Sequence, residues 1–198
     1  TLNKISEVPS GYTRLEYLQS TGTQYINTGI RPASNLKWEL DNEFTANTAM
    51  FNGVYDSSYS PVMRFDIALS TGLLLSFGNT NKVTSSSTPF VHNRMTYVLD
   101  ALNKKWSYGN TEGTLPSYTP TGSGNNRPIY VFARKSGSVE YPCSQKTYSS
   151  KIYRNNSIIQ NLVPARRNSD NILGMYDTVT NTFKTNAGSG TFTAWPAA

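Results

Sequence analysis

Apolar and polar residues alternate most regularly between Leu36 and Phe44. The apolar positions are Leu36, Trp38, Leu40 and Phe44, and the charged positions between them are Lys37, Glu39, Asp41 and Glu43. Only Asn42 interrupts the apolar series. Because side chains point to alternate faces of a β-strand, this period of two predicts a strand with one buried and one charged face. Trp38 belongs to the buried face, so we expect it to pack in the core.

Shorter runs of the same kind predict further strands. They lie at Leu15–Gln19, Gln24–Thr28, Met50–Tyr55, Arg64–Leu69, Leu73–Phe77, Asn93–Leu102, Lys105–Tyr108, Ile129–Ala133 and Gln145–Tyr153. In the first of them, Leu15, Tyr17 and Gln19 are expected to share a face. Gly53 interrupts its run, which indicates a bulge or a close backbone approach. The segments predicted to be loops are Tyr55–Pro61, Thr111–Asn126 and Lys135–Cys143.

The last third of the chain, Ser149–Thr193, contains four short apolar runs separated by segments rich in Asn and Asp. The runs are Lys151–Tyr153, Ile158–Val163, Ile172–Tyr176 and Thr182–Phe183. Asn and Asp tolerate left-handed backbone angles and bond to their own turn backbone, so this pattern predicts an antiparallel meander. We expect Asp177 to organise the turn that follows it rather than to act as an acid.

The composition is low in charge, since only 15% of the 198 residues are Asp, Glu, Lys or Arg. Polarity comes instead from Thr, Ser, Asn and Tyr, which is typical of β-structure with many turns and argues against long helices. A chain of this length has room for one well-buried core. We therefore expect an all-β protein with a connector at residues 1–11 and a single domain at residues 12–198.

Motifs at the two ends of the chain resemble a known family. They are Tyr12–Ile30 near the N-terminus, and Lys151–Asn156, Val163–Arg167, Gly174–Asp177 and Phe183–Phe192 near the C-terminus. Together they resemble the laminin-G-like, concanavalin A-like modules of phage structural proteins and of surface proteins from gut bacteria. The resemblance implies a jelly-roll β-sandwich of two antiparallel sheets, whose first and last strands lie side by side. It also implies a place on a virion or at a bacterial cell surface.

The formal net charge is +6, but the basic residues are scattered along the chain. A nucleic-acid interface gathers its basic residues in one patch, so no nucleic-acid partner is expected. The sequence has no apolar run near 18 residues and no signal peptide, which predicts no membrane insertion. Cys143 is the only cysteine and is expected to be a packed thiol, while His92 alone cannot build a multi-histidine zinc site.

Glu39, Asp41 and Glu43 form the strongest catalytic candidate. Residues two apart on a strand share a face at about 6.5–7 Å, and retaining glycosidases need a carboxylate nucleophile beside a carboxylic acid. The spacing resembles that of family-16 glycoside hydrolases, which share the jelly-roll fold, although Asn42 stands where that family has an apolar residue. The alternative is an ordinary solvated strand face, on which Lys37 softens the repulsion between the carboxylates.

The binding candidates are tyrosines in or beside predicted loops, namely Tyr55, Tyr59, Tyr118 and Tyr141. A tyrosine offers an apolar face and a polar tip, which suits carbohydrate and protein surfaces. No cofactor is expected, because the acidic residues Asp56, Asp66, Asp170 and Asp177 form no Asp-rich loop. Calcium, which related jelly rolls often hold, is kept only as an alternative.

The sequence as a whole favours a non-catalytic binding or structural module of a phage particle or a bacterial surface protein. Its expected partner is a cell-surface glycan or a protein of the same assembly. Two alternatives stay open: a glycoside hydrolase that uses the carboxylate row, and a purely structural virion domain that forms homo-oligomers.

Overall fold

The computed structural model describes residues 8–45, 50–55, 62–68, 72–78, 80–83, 91–117, 126–136 and 139–195. Within these residues all regular structure is β-strand, which confirms the prediction of an all-β protein. In chain order the strands are β1 Tyr12–Arg14, β2 Leu18–Thr21, β3 Ile26–Asn27, β4 Leu36–Phe44, β5 Met50–Tyr55, β6 Met63–Ala68, β7 Gly72–Phe77, β8 Thr80–Val83, β9 Arg94–Asp100, β10 Lys105–Tyr108, β11 Thr111–Thr114, β12 Tyr130–Val131, β13 Ala133–Ser136, β14 Val139–Pro142, β15 Ser144–Arg154, β16 Ser157–Arg167, β17 Leu173–Asp177, β18 Thr182–Thr185 and β19 Thr193–Ala194.

The larger sheet has eleven strands, and its main path runs β11-β10-β9-β4-β15-β16-β17-β18. Every pairing between its strands is antiparallel. Along β4 every second residue from Leu36 to Phe44 is buried, which confirms the predicted alternation. Trp38 is fully buried, and its Nε1 donates a hydrogen bond to Ser150 Oγ at 2.9 Å.

The N-terminal strands fill a fork between β15 and β16. These two strands pair with each other over Ser150–Arg154 of β15, and beyond that stretch each takes another partner. There β2 pairs with the first part of β15, and β1 pairs with the last part of β16. β2 also pairs with β19, so the two ends of the chain lie side by side as expected. Val8, within the predicted connector, joins Val163 and Tyr176 in a small buried cluster.

The first predicted strand differs from the expectation. Leu15 and Leu18 are both buried, whereas Tyr17 and Gln19 are only half-buried. The period of two fails because residues 16 and 17 belong to no strand, and β2 begins in the opposite phase at Leu18.

The second sheet has six strands in the order β14-β13-β5-β6-β7-β8. The pair β13 with β5 is parallel, so this sheet is mixed rather than purely antiparallel as expected. β13 and β14 form a hairpin where Lys135–Cys143 was predicted to be a loop, and β11 occupies the start of the predicted loop Thr111–Asn126. The sequences of these strands, TEGT, ARKS and VEYP, hold too few apolar residues to show a period of two. A separate two-stranded sheet joins β3 to β12.

The inner faces of the two larger sheets share one apolar core. Trp38 of β4 and Phe65 of β6 pack with their ring centroids 4.6 Å apart. Phe65 also packs against Tyr97 of β9, at 5.8 Å. Such aromatic pairs contribute about 0.5–1.5 kcal/mol each beyond the area that they bury. The sheets therefore lie with their inner faces together, and any recognition by a sheet uses an outer face.

A buried polar network explains why Asn42 interrupts the apolar face of β4. Asn42 Nδ2 donates to Gln145 Oε1 at 2.8 Å, and Asn42 Oδ1 accepts from Thr147 Oγ1 at 2.7 Å. Gln145 on β15 also exchanges two hydrogen bonds with Asn52, which lies on β5 of the other sheet. Because a buried polar group is costly without a partner, this network favours one placement of the sheets on each other.

The last third of the chain is the predicted meander, formed by β15, β16, β17 and β18. Its turns place Asn155, Asn156, Asn171 and Asn181 at positive φ, as the Asn-rich pattern predicts. Asp177 is fully buried, and its Oδ1 accepts hydrogen bonds from the amides of Asn161 and Val179. Its Oδ2 accepts from Thr180 Oγ1 at 2.7 Å. These bonds confirm the prediction that Asp177 organises the turn after it.

Candidate functional site

The outer face of the six-stranded sheet carries a cluster of cationic and aromatic side chains. On β5 and β6 the core-facing residues include Met50, Asn52, Val54, Met63 and Phe65, so the residues that alternate with them point outward. The outer-face cluster consists of Phe51 and Tyr55 on β5, Arg64 and Asp66 on β6, Arg134 on β13 and Tyr141 on β14. Strand register brings its members together, because Phe51 lies opposite Asp66 and Arg134 lies opposite Tyr141.

Gly53 lies on β5 between Arg64 and Arg134 and places no side chain between them. It lies opposite Arg64 on one neighbouring strand and opposite Arg134 on the other. Its φ is +115°, and a Cβ built there would lie 2.1 Å from Met63 O. This confirms the close approach predicted at Gly53, since glycine tolerates both the angle and the contact. With no side chain between them, both guanidinium groups reach the same carboxylate, that of Asp66.

Asp66 is a buried carboxylate held between two arginines. Its Oδ2 accepts from Arg64 Nη1 at 2.9 Å and from Arg134 Nη1 at 2.8 Å, and its side chain is only 5% exposed. Burial raises the pKa of Asp66 above its usual value, and the two cations act in the opposite direction. Burial also lowers the pKa of Arg64. Asp66 Oδ1 and Arg134 Nε are buried and have no hydrogen-bond partner in the described part of the chain.

Three aromatic rings surround the arginine pair. Arg134 Cζ lies 4.1 Å from the ring centroid of Phe51, 5.6 Å from that of Tyr55 and 5.4 Å from that of Tyr141. Arg64 Cζ lies 4.3 Å from the Tyr55 ring centroid. A cation over an aromatic face is attracted by about 0.5–2 kcal/mol, more as it is desolvated. Tyr141 is 41% exposed, so the cluster presents an accessible aromatic ring beside half-buried positive charge.

The cluster contains two of the four binding tyrosines predicted from the sequence. Tyr55 and Tyr141 lie far apart along the chain, yet both flank Arg134. Tyr141 lies on a strand rather than in a loop. Tyr59 and Tyr118 lie outside the described residues, so their role stays a prediction.

Sequence reasoning missed both arginines of the cluster. A signal for Arg64 was present, because Arg64 and Asp66 are the polar positions of the alternating run on β6. No local pattern indicates Arg134, because it reaches the cluster through the parallel pairing of β13 with β5. A period of two tells which face a residue occupies, but not which strand lies beside it.

The carboxylate row Glu39, Asp41 and Glu43 lies on the outer face of the larger sheet, at half-buried positions of β4. Each carboxylate is paired with a cation: Glu39 with Lys37 at 2.7 Å, Asp41 with Arg94 at 2.7 Å, and Glu43 with Lys146 at 3.0 Å. Arg94 comes from the neighbouring strand β9 and Lys146 from the neighbouring strand β15. The row is thus part of a network of side-chain ion pairs that extends over the three neighbouring strands β9, β4 and β15.

Tyrosine hydroxyls add further contacts to the carboxylate row. Tyr153 donates to Glu39 Oε2 at 3.1 Å, and Tyr148 donates to Glu43 Oε2 at 3.0 Å. Cross-strand contacts of this kind are expected on a solvated strand face, where opposite charges stabilise neighbouring strands. The glycosidase role of the row stays a prediction.

Cys143 is a packed thiol, as predicted. Its Sγ accepts from the Phe51 amide at 3.1 Å and donates to the Phe51 carbonyl at 3.2 Å, and burial raises its pKa to about 12. Among the described residues, no three His, Cys, Asp or Glu side chains are grouped as a metal site requires. The same part of the chain contains no helix with the length and apolar character needed to cross a membrane.

Comparison with known proteins does not assign this chain to a family. No family model matches it, and no curated protein matches it either. What the chain does is therefore inferred from its own residues and from the geometry of the outer-face cluster.

Proposed function

We propose that this chain is a non-catalytic binding module that recognises a cell-surface glycan through the outer-face cluster. In this proposal it is a jelly-roll β-sandwich of the laminin-G-like kind, carried by a phage particle or a bacterial surface protein. The fold part of the proposal is supported by the shared core of the two sheets and by the pairing of the chain's two ends.

The observation that supports glycan recognition is the meeting of Tyr55 and Tyr141 around the guanidinium of Arg134. A sugar ring needs an apolar face to stack on and polar groups that fix its hydroxyls, and tyrosine beside arginine supplies both. Tyr141 is the most accessible of these groups, because it lies on the edge strand β14 and is 41% exposed. The module would therefore bind sugar with a sheet face, while its core face holds the sheets together.

A glycan array with wild-type protein and two tyrosine variants tests this proposal. We expect Tyr141→Ala to reduce glycan binding about fivefold or more, since truncation of an aromatic residue that anchors a ligand costs on the order of 1 kcal/mol or more. The melting temperature should change by only a few degrees, because much of the Tyr141 side chain is exposed to solvent rather than packed in the core. Tyr153→Ala, on the outer face of the other sheet, is the matched control and should leave binding unchanged.

The same experiment separates the alternatives. Loss of binding in Tyr153→Ala but not in Tyr141→Ala would favour recognition by the face that carries the carboxylate row. Release of shorter sugars from the glycans would favour the alternative of a glycoside hydrolase. Capture of a protein of the same assembly, with no glycan bound, would identify that protein as the partner. No binding to any glycan, together with homo-oligomers on gel filtration, would favour the purely structural domain.

A further inference from the structure

Arg134 binds Asp66 through only one side of its guanidinium group. The contact uses Nη1, at 2.8 Å from Asp66 Oδ2. Nε, on the opposite side, is buried and has no hydrogen-bond partner among the described residues. An unpaired buried donor costs about 1–3 kcal/mol, so a ligand group that accepts from this atom would be favoured.

Other arginines of the same chain show what this side of a guanidinium binds. Arg94 holds Asp41 with Nε at 3.0 Å from Oδ1 and Nη2 at 2.7 Å from Oδ2. Arg167 holds Asp170 through the same two nitrogens, with Nη2 at 2.6 Å. The planar Nε/Nη2 edge matches the two oxygens of a carboxylate and makes charge-assisted bonds to both.

The charge balance of the cluster also favours an acidic ligand. Arg64 and Arg134 share the single carboxylate of Asp66. Burial raises the pKa of that carboxylate because it disfavours the charged form. Among the described residues, the nearby carboxylate of Glu140 is already paired with Lys135. The whole chain carries a net charge of +6, which adds a general attraction for acidic partners.

We propose that the outer-face cluster selects glycans that carry a carboxylate, which the Nε/Nη2 edge of Arg134 binds while the sugar ring stacks on Tyr141. This rests on the proposed function and adds the chemical class of the ligand. In this proposal, because Nε is buried, the carboxylate reaches it after a neighbouring ring of the cluster turns aside. Tyr141 has that freedom, since it is 41% exposed on an edge strand, whereas Phe51 and Tyr55 are half-buried.

Pairs of ligands that differ only in charge test the inference. The probes are trigalacturonate with its methyl ester, and 3′-sialyllactose with its methyl ester, measured by titration calorimetry at fixed ionic strength. We expect at least one acid to bind wild-type protein about tenfold or more tightly than its ester, since hydrogen bonds to a charged group are worth about 1.5–3 kcal/mol. Arg134→Lys keeps the charge but lacks the planar edge, so the preference should disappear in that variant.

The controls separate this edge from general charge. Arg134→Gln and Arg166→Gln remove the same charge, but Arg166 is exposed on β16 of the other sheet, so only the first should abolish the preference. A preference that survives in Arg134→Lys, or that is lost equally in Arg166→Gln, overturns the inference. Acid and ester that bind equally, with binding still sensitive to Tyr141→Ala, overturn the inference and leave the proposed function standing. If the Arg134 variants do not fold, equal binding of acid and ester to wild-type protein still overturns it.

Discussion

At the scale of single residues, Gln145 is the side chain that joins the polar groups of the two sheets. It accepts from Asn42 and Asn52 and donates to Asn52, all within the buried core. We expect Gln145→Leu to lower the free energy of unfolding by about 2–4 kcal/mol, because it leaves more than one buried polar group unpaired. Gln19→Leu, at a half-buried position, should stay within about 0.5 kcal/mol of wild type. Denaturant titration measures both, and equal stabilities would contradict the importance of the network.

At the scale of strands, Gly53 allows β5 to lie between the two arginine-bearing strands. Gly53 and Gly22 have nearly the same φ, +115° and +111°, but a Cβ at Gly22 would meet nothing within 4 Å. We expect Gly22→Ala to cost about 1 kcal/mol from the backbone angle alone. Gly53→Ala should cost about 3 kcal/mol or more, because the added Cβ also meets the carbonyl of Met63. Thermal unfolding of the two variants compares them, and equal losses would show that the close contact relaxes freely.

The strands themselves were largely predictable, and their neighbours were not. The alternation from Leu36 to Phe44 predicts β4 and its faces, because a strand with one buried face repeats every two residues. The Asn-rich turns likewise predict the meander, because few other residues adopt positive φ. The short strands β11, β13 and β14 were missed because they hold too few apolar residues to show an alternation. Even a visible period leaves the choice of neighbouring strand open, which is why the parallel pair β5 and β13 was not foreseen.

At the scale of the whole molecule, the candidate site depends on pairings that no local pattern shows. The amphipathic character of tyrosine predicts Tyr55 and Tyr141 as binding residues, and the glycan array tests that prediction. Their meeting around Arg134 depends on the parallel pairing and on the hairpin of β13 with β14. Asn42 shows the same limit in the core, since its partners Gln145 and Thr147 lie more than a hundred residues away.

The fork between β15 and β16 makes the N-terminal segment a structural part of the whole sheet. Removal of residues 1–21 deletes β1 and β2, leaving unpaired backbone along parts of both strands and of β19. We therefore expect residues 22–198 alone to lose the near-ultraviolet circular dichroism of the full chain. A synthetic peptide of residues 1–21 should restore it by adding the missing strands. The same peptide with Leu15 and Leu18, both buried in the full chain, changed to Asp should fail, because it cannot enter the core. A truncated chain that keeps a native spectrum and melts within a few degrees of the full chain would contradict this account of the fork.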